Sequence, residues 1–189
     1  MKVRGSAKKS SKKKPTWSDL KRQLVDLDRP VLLGLIQDLY AASKNNQAFL
    51  HARFALGEDV LEPYKVTIDR WVCPDVLRNQ DISVAKSKKA LSDYTKAIGR
   101  PEGVAELTVF FCESCATFLG FCCVDYEEYF NALVSMFEQA LKAVVALEPG
   151  QQAAFIDRLE RVRQEGRNWG WGVGDDMNDL MAEYGFAEK

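Results

Sequence analysis

Apolar residues recur along this chain three and four positions apart and almost never alternate one by one, which is the periodicity of helices and not of strands. An opening helix runs to about Leu27, with Thr16 or Ser18 as its cap. Asp28 caps a second, with Pro30 in the first turn, where its missing N–H goes unused. Leu32, Leu35, Ile36, Leu39 and Tyr40 form the apolar face of that helix, which ends near Ser43. Asn45 and Asn46 read as a loop and cap. A third helix carries Phe49, Arg53 and Phe54 and stops at Gly57. A fourth, about 59–72, aligns Leu61, Tyr64, Ile68 and Trp71. Pro74 closes it, and 74–80 reads as a loop.

The fifth helix, about 82–98, places Val84, Leu91, Tyr94 and Ile98 on one face, with Lys86, Lys88, Lys89 and Lys96 away from it. Gly99 is its stop signal. The sixth, about 101–123, is apolar on nearly all sides, so it is expected to be the central, most buried helix. Asp125 with Glu128 makes a capping-box-like start to a seventh, which repeats Tyr129, Leu133, Phe137, Leu141 and Val144. After the turn at Glu148-Pro149-Gly150, an eighth helix aligns Phe155, Leu159 and Val162 as far as about Glu165, and the glycine-interrupted segment 167–184 is expected to be helical. The pattern predicts an all-α, single-domain helical bundle of about seven to eight helices. Helix pairs joined by short turns leave a short two-layer α-α superhelix as the alternative.

Charge divides the chain more sharply than hydropathy does. Residues 1–14 carry seven cations (Lys2, Arg4, Lys8, Lys9, Lys12, Lys13 and Lys14) and no acid, within a total of 26 Lys and Arg against 27 Asp and Glu. The expected organisation is a basic disordered tail over 1–15 and one helical domain over 16–189, long enough to build a core. In the acidic body, residues 101–189 hold sixteen acids against six cations. The basic start is followed by no apolar h-region, so it does not read as a secretory signal, and Glu106 and Glu113 interrupt the apolar run 104–124, which argues for a buried helix and not a membrane span. With five clustered cysteines read as reduced thiols, the expected location is cytoplasmic.

Candidate chemistry is sparse. Cys112 and Cys115 have C-x-x-C spacing, with Cys122-Cys123 following, but they fall within an apolar helix, where cysteine packs as a small hydrophobe; Cys73 stands apart. His51 is the only histidine, and no nucleophile is spaced beside it. Asp175, Asp176 and Asp179 form a D-D-x-x-D string able to face a hard cation, the basis of a metal-dependent enzyme reading, although a solvated helix face is the ordinary one. Gly170 and Gly174, with Trp169 and Trp171, suggest close helix packing or an indole-lined groove. No catalytic residue, metal ligand or cofactor is assigned.

Partner signals come from cations. Lys8, Lys9, Lys12, Lys13 and Lys14 in the tail, with Lys86, Lys88 and Lys89 on the fifth helix, are the candidate nucleic-acid contacts, and such binding would depend steeply on salt and little on sequence.

Three stretches, LDRPVLLGLIQDLYAASKNNQAFLHARF, SVAKSKKALSDYTKAIGRPEGVAEL and RNWGWGVGDDMNDL, together resemble a widespread family of small all-helical bacterial proteins classed as a domain of unknown function. The resemblance covers most of 17–184. It implies a bacterial intracellular helical protein and no activity. The expected role is a non-enzymatic binding or interaction protein with a protein partner, nucleic acid being the alternative partner through the tail, and no membrane partner.

Overall fold

The structure, a computed structural model, describes residues 14–54, 56, 59–124 and 126–186. Every regular element among them is helical: α1 (Trp17–Val25), α2 (Arg29–Ala42), α3 (Lys44–Arg53), α4 (Glu62–Val72), a 3-10 turn (Val76–Arg78), α5 (Val84–Ala97), α6 (Pro101–Phe121), α7 (Glu127–Val145), α8 (Pro149–Gly166) and α9 (Val173–Glu183). The protein is an all-α helical bundle. Backbone contacts cluster into two compact units, 1–46 and 47–189, with the division falling inside α3.

In the second unit the core is built around α6. That helix packs against α4, α5, α7 and α8, while α9 packs on α7 and α8. Its sequence explains the position. Leu107, Val109, Phe111, Cys112, Cys115 and Phe118 point to several sides of one helix, and all are buried. The length and mean hydropathy of α6 would also suit a membrane span, but most of the apolar stretch is covered by neighbouring helices. Phe137, Leu133, Met136 and Leu141 of α7, Ile68 of α4, Leu159 of α8 and Met177 of α9 complete the core.

Local signals set most helix ends. Asp28 Oδ1 accepts from the Val31 N–H at 3.0 Å, with Pro30 in the first turn of α2. Gly99 stands at φ +63° after α5, and its N–H donates to the Tyr94 carbonyl. A Cβ there would lie 2.7 Å from the Thr95 carbonyl oxygen. The Arg53 guanidinium donates to the Ala97 carbonyl at 3.0 Å, satisfying one of the free acceptors at the end of α5.

Three expectations are corrected. Asn45 and Asn46 are not a loop but the first residues of α3: the Ser43 hydroxyl accepts from the Asn46 N–H, and the Asn46 amide donates to the Leu39 carbonyl at 2.6 Å. The loop over 74–80 contains a 3-10 turn that Asp75 caps through the Leu77 N–H. The segment 167–184 is helical only from Val173, because Trp171 at φ +65° and Gly172 at φ +73° are left-handed and break any continuation from α8. Gly170 and Gly174 therefore do not share a helix. The caps assigned to Asp125 and Gly57 lie outside the described residues.

Candidate functional site

The first unit is where the structure departs most from an ordinary fold. Its helices are well formed locally. The Asp19 carboxylate accepts from both the backbone N–H of Thr16 (2.9 Å) and its hydroxyl (2.8 Å), and it pairs with Arg22. These hydrogen bonds, the backbone one foremost, hold the Asp19 carboxyl below its ordinary pKa. Yet neither α1 nor α2 contains a single buried residue. Trp17 is 67% exposed, Leu33 55%, Leu39 59%, Ile36 46% and Leu35 40%. On a helical wheel Leu32, Leu35, Ile36 and Leu39 share one side of α2, bordered by Leu33 and Tyr40, and α1 aligns Trp17, Leu20 and Leu24 in the same way. Apolar surface of this kind is seldom left uncovered in a folded protein.

The charge split follows the same division. Residues 1–46 carry eleven cations and four acids, whereas 47–189 carry fifteen and twenty-three. Of the tail lysines proposed as contacts, Lys14 is described and exposed; Lys8, Lys9, Lys12 and Lys13 lie outside the described residues. The lysines of α5 are partly engaged within the second unit. Lys86 Nζ sits 3.7 Å from the centre of the Trp71 ring, a cation–π contact, and Lys89 Nζ lies 2.5 Å from Asp93; Lys88 is half-buried.

The other sequence candidates take structural places. Cys112 and Cys115 are buried free thiols in α6, and burial raises the thiol pKa of both, that of Cys115 to about 12. Cys73 is half-buried and raised by burial to about 11. Cys122 is half-buried at the end of α6, and Cys123 is exposed. His51 is half-buried on α3. Asp175, Asp176 and Asp179 stand exposed on α9, and among the described residues no three His, Cys, Asp or Glu side chains converge as a metal ion would require.

Trp169 and Trp171 do not share an environment. Trp169 packs against the core, near enough that a Cβ on Gly166 would meet its ring at 3.2 Å, whereas Trp171 is about half exposed. Gly174 does allow close approach: a Cβ there would lie 3.0 Å from Arg167 Cα and 3.2 Å from the Gly166 carbonyl oxygen.

One polar feature escaped the sequence reading. Glu106 of α6 binds Lys65 of α4 (2.6 Å) and Arg158 of α8, and Arg158 reaches on to Glu113 at 2.6 and 2.8 Å. All four side chains are no more than 30% exposed. Burial pushes the Glu106 carboxyl up, but the hydrogen bonds and charges of Arg158 and Lys65 prevail and hold it below its usual value. The network crosses three helices and fastens them. Its partners stand 45 and 52 residues apart along the chain for Arg158, beyond any local pattern.

Two concave surfaces also lie in the second unit. One of about 790 Å³ runs from Pro74, Gln80 and Ile82 to Cys122, Tyr126 and Glu128. The other, of about 650 Å³, is bordered by Arg53, Leu61, Tyr94, Arg100, Glu102 and Gln151. The first brings the carboxylates of Asp81 and Glu128 and the thiols of Cys122 and Cys123 to one lining, and no histidine lines either. No family model, curated protein or solved structure matches this chain.

Proposed function

We propose that this chain is a non-enzymatic interaction protein whose binding element is the helical pair α1–α2. The observation that carries the reading is that two helices with regular apolar faces bury no residue at all. A 9-residue and a 14-residue helix are short for independent stability in water, and most helical stability comes from packing an apolar face. A partner that covers Leu32, Leu35, Ile36 and Leu39 would supply that packing.

The nucleic-acid reading draws on the cations of residues 1–14, with Lys86, Lys88 and Lys89 as secondary contacts. It leaves the apolar side of α2 without a use. The metal-dependent enzyme reading, built on Asp175, Asp176 and Asp179, has no observation in its favour.

The test compares the full chain with the double variant Leu35→Asp/Leu39→Asp by retention from native lysate, with and without nuclease. Loss of a nuclease-insensitive partner in the variant supports the reading. Retention that is nuclease-sensitive and indifferent to these substitutions would replace it with nucleic-acid binding.

A further inference from the structure

The first unit joins two features that few partners satisfy together. Seven cations without an acid occupy residues 1–14, and three residues later α1 begins with the exposed Trp17. A neutral apolar groove on a protein would cover the apolar side of α2 but leave the cations without counter-charge. A nucleic acid would neutralise the cations but offers α2 no apolar surface. A bilayer containing anionic phospholipid answers both, because a negative headgroup layer overlies an acyl region. Resting on the interaction reading above, we infer that the first unit docks on the surface of an anionic phospholipid membrane, with α1 and α2 lying in the interface and the cations of residues 1–14 supplying the attraction to the headgroups.

The helices suit that position. α1 combines an apolar side (Trp17, Leu20, Leu24), bordered by Lys21, with a polar side carrying Asp19 and Arg22, the amphipathic pattern of an interfacial helix. At about 1.5 Å per residue α2 is roughly 21 Å long, short of the roughly 30 Å hydrocarbon thickness, so it lies in the interface and does not span. The expectation of no membrane partner came from the absence of a spanning segment, which interfacial docking does not need.

Two of the four acids of this unit are engaged within it. Asp19 is engaged by Thr16 and Arg22, and Asp28 by the Val31 N–H. Asp38, three residues after Leu35, stands at the edge of the apolar side of α2 and faces away from Ile36, and Asp26 follows α1 as its C-cap. An apolar contact alone or a charge contact alone holds a protein to a membrane only marginally. Two signals together hold it stably.

The experiment is co-flotation of the full chain with phosphatidylcholine vesicles, with and without phosphatidylserine, across a salt series. Binding is expected only with phosphatidylserine and should fall as salt rises. Each lysine near the headgroups strengthens binding about fivefold, so removal of residues 1–14 should weaken it more than about a hundredfold. Leu35→Asp/Leu39→Asp should weaken it at least about tenfold while leaving the thermal melt of the second unit unchanged. Trp17 emission should shift to the blue on vesicles, and the shift should be missing in Trp17→Phe.

No flotation at low salt overturns the inference, as does flotation unaffected by Leu35→Asp/Leu39→Asp. So does an equal-affinity complex with short duplex DNA that is indifferent to the same substitutions. If vesicles are ignored but α2 still governs retention of a protein partner, the membrane inference falls and the interaction reading stands. If α2 affects neither, both fall.

Discussion

Gly103 of α6 and Tyr94 of α5 fit each other so closely that a Cβ on the glycine would lie 1.8 Å from the tyrosine oxygen and 2.4 Å from the ring carbon bearing it. Tyr94 is buried and stacks edge-on against Tyr64 at 5.4 Å, so its ring has nowhere to retreat. Gly103→Ala is therefore expected to destabilise the second unit by about 1–3 kcal/mol, although alanine is the better helix former. In the same helix, Gly120 is exposed, and a Cβ there meets nothing within 4 Å. Gly120→Ala should raise stability by about 0.5–1 kcal/mol. Urea titrations of the two variants should move in opposite directions.

Two buried tyrosines should respond differently to loss of their hydroxyls. Tyr129 Oη donates to the Val72 carbonyl at 2.6 Å and ties α7 to the end of α4. Tyr64 Oη is buried and finds no hydrogen-bond partner among the described residues. Tyr129→Phe should cost about 1–2 kcal/mol, since it strands a carbonyl, whereas Tyr64→Phe should be neutral or stabilising by up to about 1 kcal/mol. Thermal unfolding monitored by circular dichroism would rank them.

Acid should weaken the second unit through its carboxylates. Glu106 is held below its ordinary pKa of 4.5 against the opposing effect of burial, and Glu160 is likewise lowered, chiefly by its hydrogen bonds to Arg163. For a lowered carboxyl the unfolded chain binds the proton more readily. Its contribution is complete above the ordinary value and is lost as pH falls through the folded one. Stability should therefore decline as pH falls below about 4.5. Arg158→Ala should cost about 2–4 kcal/mol at neutral pH and flatten that decline, because Glu106 loses its main counter-charge. Unfolding midpoints between neutral and acid pH would show both effects.

Thiol chemistry should be selective. Cys123 is exposed, whereas burial keeps the Cys112 thiol pKa well above its ordinary value and that of Cys115 near 12. A thiolate is the reactive species, so a maleimide at neutral pH should label Cys123 in the native protein and reach Cys112 and Cys115 only in denaturant. Mass spectrometry of labelled peptides would show the order. Rapid native labelling of Cys112 or Cys115 would contradict the packing of α6.

The α2 helix carries the most informative contrast with α4. Both were legible as helices with an apolar face, α2 from Leu32, Leu35, Ile36 and Leu39 and α4 from Leu61, Tyr64 and Ile68. Tyr64 and Ile68 are buried, whereas Leu35, Ile36 and Leu39 are exposed. Periodicity reports that a face is apolar and says nothing of what covers it. The candidate surface was thus visible in the sequence as a pattern and recognisable as a surface only in three dimensions. The misplaced start of α3 has a similar cause. Asparagines favour loops locally, but Ser43 caps the backbone here and the Asn46 side chain reaches back to Leu39.

What the sequence alone determined is the helical class, the cap residues Asp28 and Gly99, the helix start at Pro101 and the central place of α6, while it left the cap of α1 open between Thr16 and Ser18. Each depends on forces acting within a turn or two of chain: backbone hydrogen bonds four residues apart, fixed or left-handed φ, and a helix too apolar to face water on any side. Tertiary structure decided the rest. The Lys65–Glu106–Arg158–Glu113 network, the bond from Tyr129 to Val72 and the fit of Tyr94 over Gly103 join different helices, most of them far apart in the chain. So does the burial of one apolar face and the exposure of another. These depend on which surfaces meet, and a residue's own neighbours along the chain carry no record of that.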